Sequence, residues 1–425
     1  MPVPEKDIIP IELTAPAGSF TSLQAAIKAG ADSIYFGVGK LNMRARAAQN
    51  FIPEELPQIV EICHSKNVRC YLALNTILYD NEICEMQAIC NAAQTAGVDA
   101  VIASDMAAIQ YAHQLGLEVH ISTQANVSNF EAVKFFARYA DIIVLARELT
   151  IAQVKYICDA IREQNIIGPS GNLVKIELFI HGALCVSISG KCYMSLSLTG
   201  HSANRGDCFQ TCRRSYKVVD DVTGDELVID NHFVMSPRDL CTIGFMDKLI
   251  ESGASVLKIE GRGRREEYVY TVTRVYREAI SACLTNNYTP EKISRWETEL
   301  AGVFNRGFWH GGYYMGRHID EWSRSYGSQA SKQKIYAGYV KNYFPQAGIA
   351  ELAIESHGIA RGDTIIISGP TTGYVETRIT SLLVDDQPVP NAGKGTYATI
   401  PVPEKVRRHD KLYIFAVRND LQEQT

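Results

Sequence analysis

From Ile11 to about residue 285, short β-rich runs alternate with amphipathic segments, a pattern that few architectures can satisfy. Strands are predicted at IELTAPA, SIYFGVG, CYLALN, AVIASD, EVHISTQ, IIVLAR, IELFIHG, FVMS and SVLKIEG. These nine runs are one more than an eight-stranded barrel needs, so one is expected to be an extra strand. The units repeat evenly and lack a Gly-rich phosphate fingerprint, which favours an α/β fold of the (β/α)8, TIM-barrel-like kind over an open doubly wound sheet. Helix boundaries carry ordinary signals. Ser19 can cap SLQAAIKAG, which stops at Gly30, and Thr150 with Gln153 makes a capping box.

Two features break the repeat. Nearly fifty residues separate IELFIHGA from FVMSPRDL, far more than the ~2 to 6 residues of an ordinary βα loop. From Lys334 onward the texture changes to alternating strands with turns. The expected organisation is a barrel domain over 1–285 with a cysteine-rich loop at 184–231, a helical and aromatic linker over 286–333, and a small all-β barrel over 334–425. No apolar run approaches the roughly 18 residues of a membrane span, and MPVPEKDIIP lacks the regions of a signal peptide, so a cytoplasmic protein without membrane contact is expected. A net charge of only -5 offers no global attraction to nucleic acid and leaves local basic patches as the electrostatic route.

The long loop holds Cys185, Cys192, Cys208 and Cys212, spaced C-x6-C-x15-C-x3-C among Gly, Ser and Arg. Four thiolates in one polar loop suit a tetrahedral zinc or a cubane iron-sulfur cluster. The short C-x2-C knuckles of most structural zinc sites are missing, which favours iron-sulfur. The C-x3-C pair suits one helical turn, and Lys191, Arg205, Arg213 and Arg214 would offset the negative charge. Cys63, Cys70, Cys84, Cys90, Cys158 and Cys283 read as core residues. Cys241 could replace one of the four ligands, though a packing role suits it better.

Loops that follow barrel strands form the catalytic face. Polar residues near strand ends therefore make a second constellation: Glu12, Asn75, Gln124, His181 and Glu260 as catalytic candidates, and Arg44, Arg46, Arg147 and Arg262, with Arg264 nearby, as candidates for an anionic ligand or RNA backbone. The bland alternative for each is a satisfied structural polar group, and no individual acid or base role is assigned. A Cys185–His181 nucleophile would instead make a peptidase, but it leaves three cysteines unexplained, and neither HExxH nor GxSxG occurs.

The strings ELTAPAGSFTSLQAAIKAGADSIYFG, HGALCVSISGKCYMS, ANRGDCFQTCRRSY and SVLKIEGR resemble peptidase family U32 (collagenase-like) over about residues 11–320. Within it the chain is most similar to the prephenate-dependent tRNA uridine hydroxylase branch. That resemblance implies 5-hydroxylation of a wobble uridine in tRNA, supported by a 4Fe-4S cluster, with prephenate as co-substrate or effector, and it leaves room for a partner subunit. It also implies Cys185, Cys192, Cys208 and Cys212 as cluster ligands. In the family's quinone-synthesis branch the last cysteine of the CxxxC pair is absent, whereas Cys212 is kept here. Hydroxylation of ribosomal RNA cytidine and collagenase-like peptidase activity are the neighbouring alternatives. The strings GIARGDTIIISGP and VRRHDKLYIF resemble the β-barrel second domain of translation factors, which implies a module able to help hold tRNA.

Overall fold

The computed structural model describes residues 10–227, 232–316, 322–325 and 327–418. Seven parallel strands follow in chain order: β1 (Glu12–Pro16), β2 (Ser33–Gly37), β3 (Arg69–Leu74), β4 (Ala100–Ala103), β5 (Glu118–Ile121), β6 (Ile142–Val144) and β7 (Lys175–Gly182). A short hairpin of β8 (Val218–Val219) and β9 (Glu226–Leu227), then β10 (Asp239–Cys241), precede β11 (Val256–Ile259). β11 pairs in parallel with both β7 and β1 and closes an eight-stranded barrel. Nearly every residue of these strands is buried, as a parallel sheet covered on both faces requires. Helices cover the outside. Ser19 caps Phe20–Lys28, and Gln153 N donates to Thr150 Oγ1 at 3.3 Å to open Ile151–Glu163.

The ninth strand exists but lies downstream of the expected run. FVMS forms a turn, and the extra strand is β10, which runs antiparallel to the end of β7. β12 (Phe308–His310) joins β10 in parallel. The segment 286–333, read from sequence as a linker, thus contributes to the barrel: Trp296, Leu300, Trp309 and Tyr314 are buried in its core. No helix among the described residues is long and apolar enough to cross a membrane.

The C-terminal part is an antiparallel β structure whose first strand, Lys332–Phe344, pairs with Ile349–Ile354 and Lys411–Val417. It has its own core of Val340, Leu352, Ile365, Ile367, Val375 and Leu412. Ile366, Tyr374 and Phe415 on its outer face pack into the core of the barrel domain. Lys334, nearly buried, donates to Glu266 Oε1 at 2.6 Å and Glu267 Oε2 at 2.8 Å at the start of helix Glu266–Leu284.

Candidate active site

The loops after β2, β3, β5, β6, β7 and β11 surround a cavity of about 230 Å³ at the C-terminal mouth of the barrel. Asn75, Gln124, Arg147 and Glu260 line it, as do Arg44 and Arg262, so strand direction alone brought six of the nine polar candidates together. All four cysteines of the long loop line the same cavity.

The polar groups hold one another in place. Arg44 donates through Nε (3.0 Å) and Nη2 (2.9 Å) to Glu260 Oε1. Burial pushes the Glu260 carboxyl up, but Arg44, Arg147 and Arg262 together hold it below its ordinary value, while Glu260 raises Arg44 further. Arg262, 3% exposed, donates to Asn42 Oδ1 at 3.0 Å, and burial brings its pKa down to about 10. Arg147 donates from Nη1 to the Ala183 carbonyl, while its buried Nε has no hydrogen-bond partner. The Gln124 Oε1 atom is likewise buried without a partner. Two cavity residues therefore carry polar atoms that a bound ligand could satisfy.

The cysteine loop is fastened to this face. Arg213, buried, donates to the Leu184 and Pro237 carbonyls and to Ser236 Oγ, which pins the residue preceding Cys185. Gly190 has φ +70°, and a Cβ there would meet Gln124 Oε1 at 2.8 Å, so glycine lets the loop lie against the β5 loop. Cys212 rides on the 3-10 turn Thr211–Arg213, but Gln210 has φ +51°, so Cys208 and Cys212 do not share the single helical turn expected for them. Burial pushes the Cys212 thiol up to about 11; Arg213 counteracts this and the nearby Cys185, Cys208 and Cys192 add to it. Of the four cations expected beside the thiols, Lys191 and Arg214 are exposed and Arg205 pairs with Glu82. Arg213 alone of these packs against them.

Three candidates fall elsewhere. Glu12 opens β1 rather than closing it, so it lies at the opposite end of the barrel, where the Tyr71 hydroxyl donates to its Oε1 at 2.5 Å. His181 is buried outside the cavity lining, with Nδ1 3.2 Å from the Tyr276 hydroxyl and its ring against Tyr268, Tyr276 and Phe308. The pairing of β7 with β11 slips by one residue between Phe179 and His181, and such a bulge turns the strand's inward face outward. Burial, then the neighbouring His310, lowers the His181 pKa to about 3, so the imidazole is neutral at ordinary pH. Arg46 is exposed on the rim, its guanidinium 3.6 Å from the Phe209 ring centroid. Cys241 is fully buried and does not line the cavity; the Tyr276 hydroxyl faces its sulfur at 3.9 Å. Cys63, Cys70, Cys90 and Cys158 are buried, while Cys84 is exposed and Cys283 half-buried.

Sequence reasoning passed over Lys258 and Arg306. Lys258, buried on the cavity floor, pairs with Glu177 Oε1 at 2.7 Å. It precedes Glu260 by two residues, so the strand period pointed to it. Arg306 reaches the cavity from beyond the barrel repeat and bonds Asp239 Oδ1 and Gln210 Oε1, both at 3.4 Å. No local pattern marks it.

A closed barrel whose strand-7 loop brings four thiols to an arginine-rich mouth defines the class. The chain belongs to peptidase family U32, whose model matches residues 18–324. It is 53% identical over 96% of its length to a protein of Porphyromonas gingivalis named collagenase, of which the match covers 99%. It is 31% identical over 84% of its length to tRNA hydroxylation protein P1 of Bacillus subtilis, covering 83% of that chain. The 23S rRNA 5-hydroxycytidine C2501 synthase of Escherichia coli is 34% identical over 68% of this chain and 42% of its own.

Proposed function

We propose that this chain is an iron-sulfur-dependent RNA hydroxylase that introduces the 5-hydroxyl of a wobble uridine in tRNA, with prephenate as co-substrate or effector. The observation that carries this reading is the convergence of Cys185, Cys192, Cys208 and Cys212 on the arginine-lined cavity. The family relatives named for tRNA hydroxylation and for 5-hydroxycytidine synthesis support it. The sequence spacing C-x6-C-x15-C-x3-C, without the C-x2-C knuckles of most structural zinc sites, favours a cluster over a single zinc.

Cys185, Cys192, Cys208 and Cys212 would hold the cluster, which when bound supplies electron transfer at the cavity wall. Arg147 and Arg262 provide donors for the carboxylates of a small dianion, and Arg44 keeps Glu260 ionised beside them. Asn75 and Gln124, on the facing loops, can bond the edge of an unstacked base, the form in which RNA bases enter such pockets.

Anaerobically purified protein should be brown, with iron and sulfide bound. Nucleoside digests of tRNA, read by mass spectrometry, should lack 5-hydroxyuridine derivatives when the gene is deleted. Unchanged nucleosides would overturn the reading. The collagenase name of the Porphyromonas gingivalis relative favours a second reading, a peptidase. A Cys185–His181 pair cannot serve it, since His181 is buried against Tyr276 away from the cavity. Cleavage of collagen-like peptides by metal-free protein would restore that alternative.

A further inference from the structure

We infer that a collar of exposed aromatic rings and arginines around the cavity mouth is a docking surface for a single-stranded RNA loop. This rests on the RNA-hydroxylase reading and specifies which residues outside the pocket would receive the nucleotides flanking the target.

Four of the five collar residues, Tyr193, Phe209, Arg46 and Arg205, sit next in sequence to a residue that lines the cavity without lining it themselves, and Tyr79 is brought to them by a neighbouring loop. Tyr193 lies between Cys192 and Met194, Phe209 between Cys208 and Gln210, and Arg46 beside Ala47. Arg205 follows Asn204, and Ile77 N donates to the Asn204 carbonyl at 3.2 Å, which ties the Tyr79 loop to the cysteine loop. The four pieces come from the loops after β2, β3 and β7, so they share the rim of one opening.

The surface is aromatic and exposed, 71% for Tyr193 and 56% for Tyr79. Large rings left in water at a cavity mouth mark a contact surface. Their partners indicate the kind. The Arg205 guanidinium lies 3.7 Å from the Tyr79 ring centroid, held by Glu82, and Arg46 lies 3.6 Å from that of Phe209, whose other neighbour is the His201 ring at 5.1 Å. An arginine stacked on a ring can turn its in-plane N–H groups, in Arg205 those beyond the bond to Glu82, toward phosphate oxygens, and a fixed ring offers its uncovered face to a base. A target base entering the cavity must leave its stack, so the bases on either side lose a neighbour. Tyr193 and Tyr79 stand where a replacement stacking partner is needed. With a net charge of -5 for the chain, affinity for RNA must come from such a local patch.

The test uses the full-length protein prepared anaerobically with its iron. Its binding to a labelled RNA hairpin with a single-stranded loop is compared with binding to a blunt duplex of similar length and to a collagen-like peptide. Parent protein should prefer the hairpin. Tyr193→Ala should weaken hairpin binding about ten-fold, with Tyr193→Phe restoring it, and Arg46→Ala should reduce the salt slope of log K by about 1. Cluster absorbance, measured on every variant, should stay at the parent value and shows that the loop has kept its fold. If the parent binds the hairpin and Tyr193→Ala, Tyr79→Ala and Arg46→Ala bind equally well, the collar assignment is wrong while the hydroxylase reading stands. If the parent binds the peptide and no RNA, both fall.

Discussion

Glu260 is the carboxylate on which the cavity's charge balance turns. Its Oε1 takes both donors of Arg44, and its pKa sits below the ordinary value because three guanidiniums outweigh its burial. A carboxyl depressed in the folded state binds protons less readily than in the unfolded chain. Its stabilisation is therefore complete above the unfolded pKa of about 4.3 and is lost as pH falls through the lower folded value. Glu260→Gln should remove that dependence: its urea midpoint should lie below the parent's at pH 7 and converge on it under acid. Parallel curves at every pH would mean that the carboxylate is not held by the arginines. The same residue shows what could be read in the sequence. Glu12 and Glu260 both stand at strand ends, but one is the first residue of its strand and the other follows its strand, and only the second position opens on the mouth. The sequence carried that distinction. Arg306 carried no such mark, because the chain returns to the cavity only after two further helices, an accident of tertiary path.

At the scale of elements, β7 and the loop behind it decide which side chains reach the site. The strand pattern was legible because each run is apolar and bounded by turns, yet pattern cannot reveal the bulge between Phe179 and His181. Parity counted from Phe179 aims His181 at the cavity; the inserted residue sends it to Tyr276. The cysteine loop then depends on Gly190 lying against Gln124. Gly190→Ala should cost about 1–2 kcal/mol for the left-handed backbone alone, and its Cβ, 2.8 Å from Gln124 Oε1, should also displace Cys192 and lower bound iron. Gly200 is the control, with φ +72° and nothing within 4 Å of an added Cβ. Gly200→Ala should show the backbone cost without loss of iron, measured by urea denaturation and iron assay. Equal iron in both variants would show that the contact with Gln124 does not seat the loop.

Across the whole molecule, the two domains meet through apolar packing and, among the described residues, two charged contacts, the half-exposed pair of Lys28 with Glu404 Oε2 at 2.7 Å and a more deeply buried anchor at Lys334. Lys334 is 5% exposed in its side chain and lies between Glu266 and Glu267, which are 14% and 16% exposed. These carboxylates also occupy the first turn of helix Glu266–Leu284, where the macrodipole favours negative charge. Ser368 donates to Glu266 as well, so the anchor joins two strands of the C-terminal sheet to the helix that follows β11. Removing the cation leaves two carboxylates facing each other beside an apolar contact, a loss of about 3–5 kcal/mol for a buried pair. Lys334→Met should therefore separate a single calorimetric transition into two, with the C-terminal domain melting first. Adding Glu266→Gln and Glu267→Gln in that background should recover part of the loss, because no charge then remains unpaired. A single transition at the parent temperature in Lys334→Met would show that Ile366, Tyr374 and Phe415, which enter the barrel's core from the sheet, hold the domains together with the Lys28–Glu404 pair and without Lys334.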